Sequence, residues 1–115
     1  GHVWREQHYL MDTHTAVAWT VAEEYCKTRG SGAPVVVLST ASPYKFPAAV
    51  LRAVGGDVSG EEFDLMRRLH DLTEVPVPPA LAALAEKPVR HRDCIARDQM
   101  KNYVNRKVRQ ATWNE

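Results

Sequence analysis

Several features that would assign the chain to a common class are missing from its sequence. No stretch reaches the ~18 to 20 apolar residues that a membrane-spanning helix needs. No basic region followed by an apolar core marks a secretory signal at the N-terminus. The two cysteines, Cys26 and Cys94, lie far apart, which favours free thiols in a reducing compartment over a disulfide. We therefore expect a cytoplasmic protein with no membrane partner.

An excess of charge of either sign is also missing. Fifteen Lys and Arg residues oppose fourteen Asp and Glu residues, which gives a formal net charge of +1. This balance argues against a dedicated nucleic-acid binder, although the basic residues near the C-terminus leave a small basic-helix binder open as an alternative. At 115 residues the chain is long enough for one domain with a modest core. We expect no nucleic-acid partner.

Two common kinds of ligand site have little support in the sequence. No glycine-rich loop precedes a helix in the arrangement that cradles a phosphate group. His91 and Cys94 stand at an H-x-x-C spacing, but no second close pair completes a zinc site. We therefore predict no metal site.

The first half of the chain carries clear signals for two helices. Asp12 can cap a helix in which apolar residues recur at three- and four-residue spacing, and Gly30 suits its end. These signals predict a helix over residues 13–29. Pro47 suits the first position of a second helix, which a glycine pair ends, and this predicts a helix over residues 47–54.

The second half of the chain is predicted to be mostly helical. Ser59-Gly60-Glu61-Glu62 has the pattern of a capping box and predicts a helix that ends at about Thr73. A short helix is predicted over residues 80–86, after a proline-rich extended stretch. Residues 87–96 have no periodic pattern, and a last helix is predicted over about residues 97–109.

One stretch between the first two helices has the composition of a buried strand. Val35-Val36-Val37-Leu38 is apolar without alternation, which is typical of a parallel strand covered on both faces. The order helix, strand, helix is that of an α/β sheet. We therefore predict an α/β fold that is mostly helical around one buried parallel-type strand over residues 35–40. Because one strand cannot form a sheet by itself, its partners are expected upstream.

The turn after this strand contains the candidate binding residues. Ser39 and Thr40 follow the strand at its carboxyl end, where open α/β sheets bind ligands. Their hydroxyls can contact a ligand heteroatom or can simply cap the next turn. Lys45 can meet an anion or can be a solvated loop lysine. His14, in the first turn of the first helix, can face a ligand or can simply lie near the cap.

Two segments resemble motifs of threonine synthase. The stretch L-S-T-A-S-P-Y-K-F, which begins at Leu38, resembles the T-A-x-P-x-K-F segment near the C-terminus of that family. The stretch D-T-H-T-A-V-A, which begins at Asp12, resembles the family's (D/E)-P-H-(T/A)-A-V-A helix start, with Thr13 in place of the usual proline. The order and spacing of the two motifs agree with the family. The resemblance extends from about Tyr9 and weakens after Val89.

This resemblance implies a pyridoxal-phosphate enzyme of the tryptophan-synthase β-like class, which is fold type II. Threonine synthase converts O-phospho-L-homoserine and water to L-threonine and phosphate. The resemblance places Thr40 against the pyridine nitrogen of the cofactor, with Ser39 as a weaker candidate, and makes Lys45 and His14 candidates for the substrate side. A neutral hydroxyl leaves the pyridine unprotonated, which suits elimination and replacement chemistry.

The resemblance also indicates what the chain lacks. The family's Schiff-base lysine and its glycine-rich phosphate cup lie in a much earlier segment, and neither has a counterpart here. We therefore expect a C-terminal fragment with no catalytic residue of its own, inactive alone and without bound cofactor. Its expected partners are the upstream cofactor-binding portion of the same polypeptide and O-phosphohomoserine, and the isolated chain is expected to self-associate. The alternative is a stand-alone, non-catalytic interaction module derived from the same fold.

The same reasoning divides the chain into three parts. Gly1-His2 resembles the remnant of an affinity tag, and the absence of an initiator Met suggests a chain that begins inside a longer gene. We expect residues 1–8 to be this remnant with an irregular lead-in. Residues 9–56 are predicted to be a helix-strand-helix unit with the cofactor-side loop, and residues 57–115 a helical C-terminal extension.

Overall fold

The structure is a computed structural model that describes residues 1–30 and 32–111, so the last residues of the predicted 57–115 extension lie outside the described residues. Within these ranges the regular structure is helical. The α-helices are α1 (His2–Gln7), α2 (Thr13–Arg29), α3 (Pro47–Val54), α4 (Glu62–Thr73), α5 (Pro79–Ala82) and α6 (Met100–Ala111). Short 3₁₀ segments are present at Pro43–Lys45, Ala83–Glu86 and Arg97–Gln99.

The bounds of α2 and α3 confirm the predicted helices because local capping decides both. The Asp12 carboxylate accepts hydrogen bonds from the first amides of α2. Gly30 ends α2 in the left-handed conformation, with φ of 58°, and Gly55 ends α3 in the same way, with φ of 87°. Pro47 occupies the first position of α3, where the missing amide proton costs nothing.

The start of α4 differs from the prediction because the chain after Ser59 leaves the helical conformation at Gly60. The Ser59 hydroxyl donates to the Asp57 carboxylate at 2.6 Å, and the Ser59 amide donates to the same group at 3.0 Å. Gly60 then takes a φ of 109°, which lies outside the helical region, so no helix follows Ser59 directly and α4 begins at Glu62. The capping-box interpretation is wrong, whereas the predicted end at Thr73 is confirmed.

The predicted strand over residues 35–40 does not form, and the α/β assignment is wrong. The described part of the chain contains no strand, and Val36 and Leu38 are 81% and 76% exposed rather than buried. A strand needs a neighbour to pair its backbone groups, and the described residues supply none. The lead-in over residues 1–8 also differs from the expectation, because it forms α1 and buries Val3.

The core is small and lies between α3 and α4. Its buried side chains are Tyr44, Val50, Leu51, Leu65, Met66 and Leu69. The Tyr44 hydroxyl donates to the carbonyl of Val75, and the Nδ1 atom of His70 lies 2.9 Å from the same oxygen. Burial raises the pKa of the Tyr44 hydroxyl, which keeps it protonated as a donor. Tyr44 thereby attaches the turn before α3 to the segment that follows α4.

The chain is more extended and exposes more surface than a compact chain of this size would. The radius of gyration is 19.6 Å, whereas about 13 Å is expected for a compact domain of this length. The exposed area is 9422 Å², compared with about 6,300 Å² for a compact monomer of the same mass. The exposed apolar side chains include a stripe on α2 formed by Val17, Val21 and Tyr25, and a second stripe on α6 formed by Met100, Val104 and Val108. No helix among the described residues is both long and apolar enough to cross a membrane.

We expect Tyr44→Phe to lower the free energy of unfolding by about 1 kcal/mol, because it removes one hydrogen bond from a buried site while His70 still contacts the carbonyl of Val75. The measurement is urea denaturation followed by circular dichroism. The matched control is Tyr25→Phe, which changes a half-exposed tyrosine and should leave the transition within experimental error. Equal effects of the two substitutions would contradict the role of the Tyr44 hydroxyl.

Candidate functional site

The two segments that carry the motifs are 24 residues apart in sequence and meet in the structure. Thr15 Oγ1, in the first turn of α2, lies 3.2 Å from Ser39 Oγ. The ring of His14 packs against the ring of Phe46 with their centroids 5.4 Å apart. We call residues 39–46 the site loop. These two contacts, at opposite ends of the site loop, join it to the start of α2.

The carboxylate of Asp12 organises the α2 side of this contact. One carboxylate oxygen accepts from the amides of His14 at 2.9 Å and Thr15 at 3.3 Å, and the other accepts from the Thr15 hydroxyl. Burial alone would raise the pKa of the Asp12 carboxyl, but these hydrogen bonds outweigh it and hold that pKa below its ordinary value. Asp12 is therefore ionised at neutral pH and acts only as an acceptor.

The site loop is held at its far end by the core. Ser42 Oγ accepts from the amide of Tyr44 at 3.2 Å and begins the short 3₁₀ segment Pro43–Lys45. Because the side chain of Tyr44 is buried, its neighbour Lys45 points to the exposed side of the loop. The loop is thus attached to α2 through Ser39 and to the core through Tyr44.

The structure places the four predicted site residues in this one region. Ser39 contacts the start of α2, and Thr40 beside it is exposed and makes no hydrogen bond with the described residues. His14 and Lys45 are both exposed, and Phe46, which follows Lys45, contacts the ring of His14. Thr40 and Lys45 are both exposed, and neither side chain makes a hydrogen bond with the described residues. The Thr40 hydroxyl and the Lys45 ammonium are therefore open to a ligand.

Two residues that take part in these contacts were not among the sequence-based candidates. Thr15 links Asp12 to Ser39, and Phe46 packs on His14. For Thr15 a local signal exists, because a capping residue and a polar residue three positions later commonly bond across the first helical turn. For Phe46 the sequence carries no such signal, since its contact joins two distant segments.

A shallow cleft borders the Thr15 and Ser39 contact. Its volume is about 290 Å³, and it is lined by Gln7, Tyr9, Met11, Thr15, Trp19, Val37 and Ser39. The indole Nε1 of Trp19 is buried and has no hydrogen-bond partner among the residues that the structure describes. A buried donor without an acceptor is rare in folded proteins, and leaving one unpaired costs about 1 to 3 kcal/mol.

The region offers hydroxyl groups and one cation rather than a metal centre. Residues 1–30 and 32–111 hold no group of three or more His, Cys, Asp or Glu side chains that could bind a metal ion. The Thr40 hydroxyl is a neutral donor, which fits an aromatic ring nitrogen that must stay unprotonated. The residues present therefore fit the ring-nitrogen edge of a pyridoxal group.

Comparison with protein families gives one match. The family model described as "Threonine synthase, C-terminal" matches residues 15–104. This range begins at Thr15 and includes the whole site loop. No curated protein and no solved structure matches the chain.

We expect Asp12→Ala to lower the free energy of unfolding by about 1 kcal/mol, because α2 loses its capping acceptor, and Asp12→Asn to cost less because an amide oxygen still caps. The pKa of Asp12 is lowered on folding. Its ionised form therefore adds stability above the ordinary pKa of 3.8, and this contribution is lost as the pH falls through the folded value. The stability gap between the native chain and Asp12→Asn should therefore shrink below about pH 4.

Urea denaturation of both proteins from about pH 6 to about pH 2.5 measures this gap. The control is Asp98→Asn, which replaces an exposed aspartate and should show a small gap throughout. A gap for Asp12→Asn that stays constant down to the lowest pH would contradict the role given to the ionised carboxylate.

Proposed function

The chain belongs to the threonine synthase C-terminal family, and we propose that it forms the C-terminal part of a threonine synthase. That enzyme would convert O-phospho-L-homoserine and water to L-threonine and phosphate with pyridoxal phosphate. The observation that carries the proposal is the contact between the two motif segments, Thr15 with Ser39 and His14 with Phe46. Segments that both resemble one family's site are expected to meet if they serve that site.

Thr40 is the residue proposed to contact the cofactor. Its hydroxyl is exposed and makes no hydrogen bond with the described residues, so it can donate to the ring nitrogen of pyridoxal phosphate. When bound, that group supplies the electron sink for the bonds that change at the substrate. A hydroxyl donor holds the ring in place without protonating it, whereas an aspartate would add a proton.

Lys45 and His14 are proposed to lie on the substrate side. O-phospho-L-homoserine carries a phosphate group, and an exposed ammonium on the site loop is a suitable partner for it. The backbone at Lys45 is held in place because the side chain of its neighbour Tyr44 is buried in the core. The His14 ring is held against Phe46 and borders the same loop.

The upstream portion of the same polypeptide is the proposed partner of this chain. The α2 stripe of Val17, Val21 and Tyr25 is uncovered, and Val36 and Leu38 are exposed beside the site loop. A second portion that packs here would bury these exposed apolar side chains. An acceptor on the same portion would also satisfy the indole Nε1 of Trp19.

The Schiff-base lysine and the phosphate cup are assigned to that upstream portion. We therefore propose that the isolated chain performs no chemistry and retains no pyridoxal phosphate. The alternative, a stand-alone interaction module derived from the same fold, uses the uncovered apolar surface equally well. It gives no role to the Thr40 hydroxyl, and this difference separates the two.

In a threonine synthase that contains this chain, we expect Thr40→Ala to lower turnover about fivefold, because one net hydrogen bond of about 1 kcal/mol is lost. Thermal stability should change little because Thr40 is exposed. Steady-state kinetics and the cofactor absorbance spectrum are the measurements, and Thr40→Ser, which keeps the hydroxyl, is the control. Unchanged kinetics and an unchanged spectrum in Thr40→Ala would count against the proposed site.

The partner surface can be tested with two matched charge substitutions. Val21 and Val104 are 63% and 54% exposed on different helices, so a lysine at either position adds a charge without disturbing the small core. We expect Val21→Lys to weaken the binding of this chain to a separately produced upstream portion at least tenfold, and Val104→Lys to have a smaller effect. Isothermal titration calorimetry measures both. Equal affinities for the native chain and Val21→Lys would show that α2 is not the contact surface.

A further inference from the structure

The hydrogen bonds between Asp12, Thr15 and Ser39 have a fixed direction. The Asp12 side chain is fully buried and accepts from the Thr15 hydroxyl. A carboxylate in its ionised form has no proton to donate, and a hydroxyl has only one. The single proton of Thr15 is therefore committed to Asp12.

The second contact of Thr15 must then use the proton of the other partner. Thr15 Oγ1 lies 3.2 Å from Ser39 Oγ, and with its own proton engaged Thr15 can only accept there. Ser39 is therefore the donor in this pair. Its hydroxyl keeps free lone pairs but has no proton left for a ligand.

The direction of these hydrogen bonds gives the adjacent hydroxyls of Ser39 and Thr40 different roles. Ser39 is engaged with α2, whereas Thr40 makes no hydrogen bond with the described residues and keeps its proton. We propose that Thr15 is a positioning residue that acts through Ser39 to hold the backbone of the site loop, so that Thr40 is the hydroxyl presented to the cofactor. This inference rests on the proposed function for the identity of the ligand, but not for the direction of the hydrogen bonds.

The attachment of the loop explains why the position of Thr40 depends on Thr15. The far end of the site loop is attached by Tyr44, whose side chain lies in the core. The near end has Ser39, whose hydroxyl contacts Thr15. Thr40 follows Ser39 directly, and its own side chain makes no bond that would hold it. Removing the Thr15 hydroxyl would leave the near end of the loop without this contact.

Two substitutions of Thr15 separate positioning from packing. Thr15→Val keeps the shape of the buried side chain and removes the hydroxyl, whereas Thr15→Ser keeps the hydroxyl and removes the methyl group. If Thr15 is a positioning residue, Thr15→Val should weaken the affinity for pyridoxal phosphate in the complete enzyme about fivefold, which is the effect of one lost hydrogen bond. The affinity of Thr15→Ser should stay within about twofold of the native value. Equilibrium dialysis of the cofactor measures this without any turnover. The reverse order of effects, or no effect of Thr15→Val, would overturn the inference.

The direction of the hydrogen bonds has its own test in this chain alone. Carbon-detected NMR titration reports the pKa of the Asp12 carboxyl. Thr15→Val should raise that pKa because a hydrogen bond to the charged form is lost, and Thr15→Ser and Ser39→Ala should leave it within error. An unchanged Asp12 pKa in Thr15→Val would overturn the assigned direction.

The failure of this inference and the failure of the proposed function give different results. If Thr40→Ala does not weaken cofactor binding, the proposed function fails whatever the Thr15 variants do. If Thr40→Ala weakens it and Thr15→Val does not, only the positioning role is lost. Should Thr15→Val fail to fold, Ser39→Ala tests the same link from the loop side. It is expected to weaken cofactor binding to a similar degree, and an unchanged affinity would overturn the positioning role.

Discussion

The region proposed to bind the cofactor depends on the hydrogen bonds of one buried carboxylate. Asp12 caps α2, the longest helix among the described residues, and its second oxygen accepts from the Thr15 hydroxyl that contacts Ser39. A single ionised group therefore sets both where α2 begins and where the near end of the site loop lies. Because the carboxylate is buried, losing one of its donors would leave a buried charge with fewer hydrogen bonds, which costs more than losing an exposed contact.

The rest of the described chain divides into a packed part and an uncovered part. The contacts of α3 with α4 and of Tyr44 with the carbonyl of Val75 give the packed part its stability. The α2 stripe and residues 35–38 have apolar side chains with little covering them. This exposed apolar surface, and the indole Nε1 of Trp19 that has no partner among the described residues, are the features that the proposed upstream portion would cover.

Local signals are sufficient to predict α2 and α3, because Asp12, Gly30 and Pro47 act within one turn of the helix that they begin or end. They are not sufficient for Ser59, because Gly60 after it takes a φ of 109° and α4 begins only at Glu62. The strand over residues 35–40 is wrong for a different reason. Its composition is that of a strand, but strand formation requires a pairing partner that the described residues do not contain.

The candidate site was predictable in part for the same physical reasons. Ser39, Thr40, His14 and Lys45 follow from the motif resemblance, and the structure brings them to one region. The link through Thr15 depends on a contact across 24 residues, which periodicity and capping patterns do not report. The direction of the hydrogen bonds could not be predicted from the sequence either, because it depends on the burial of Asp12 and on its hydrogen bond from the Thr15 hydroxyl.

The central claim is that the Thr40 hydroxyl binds the ring nitrogen of pyridoxal phosphate in a threonine synthase of which this chain is the C-terminal part. A crystal structure of the complete enzyme with the cofactor bound tests it most directly. The claim predicts a distance of at most about 3.2 Å between Thr40 Oγ1 and the ring nitrogen, with Ser39 still bonded to Thr15. A ring nitrogen that is bonded to another side chain, with Thr40 more than about 5 Å away and therefore out of hydrogen-bond reach, would contradict it.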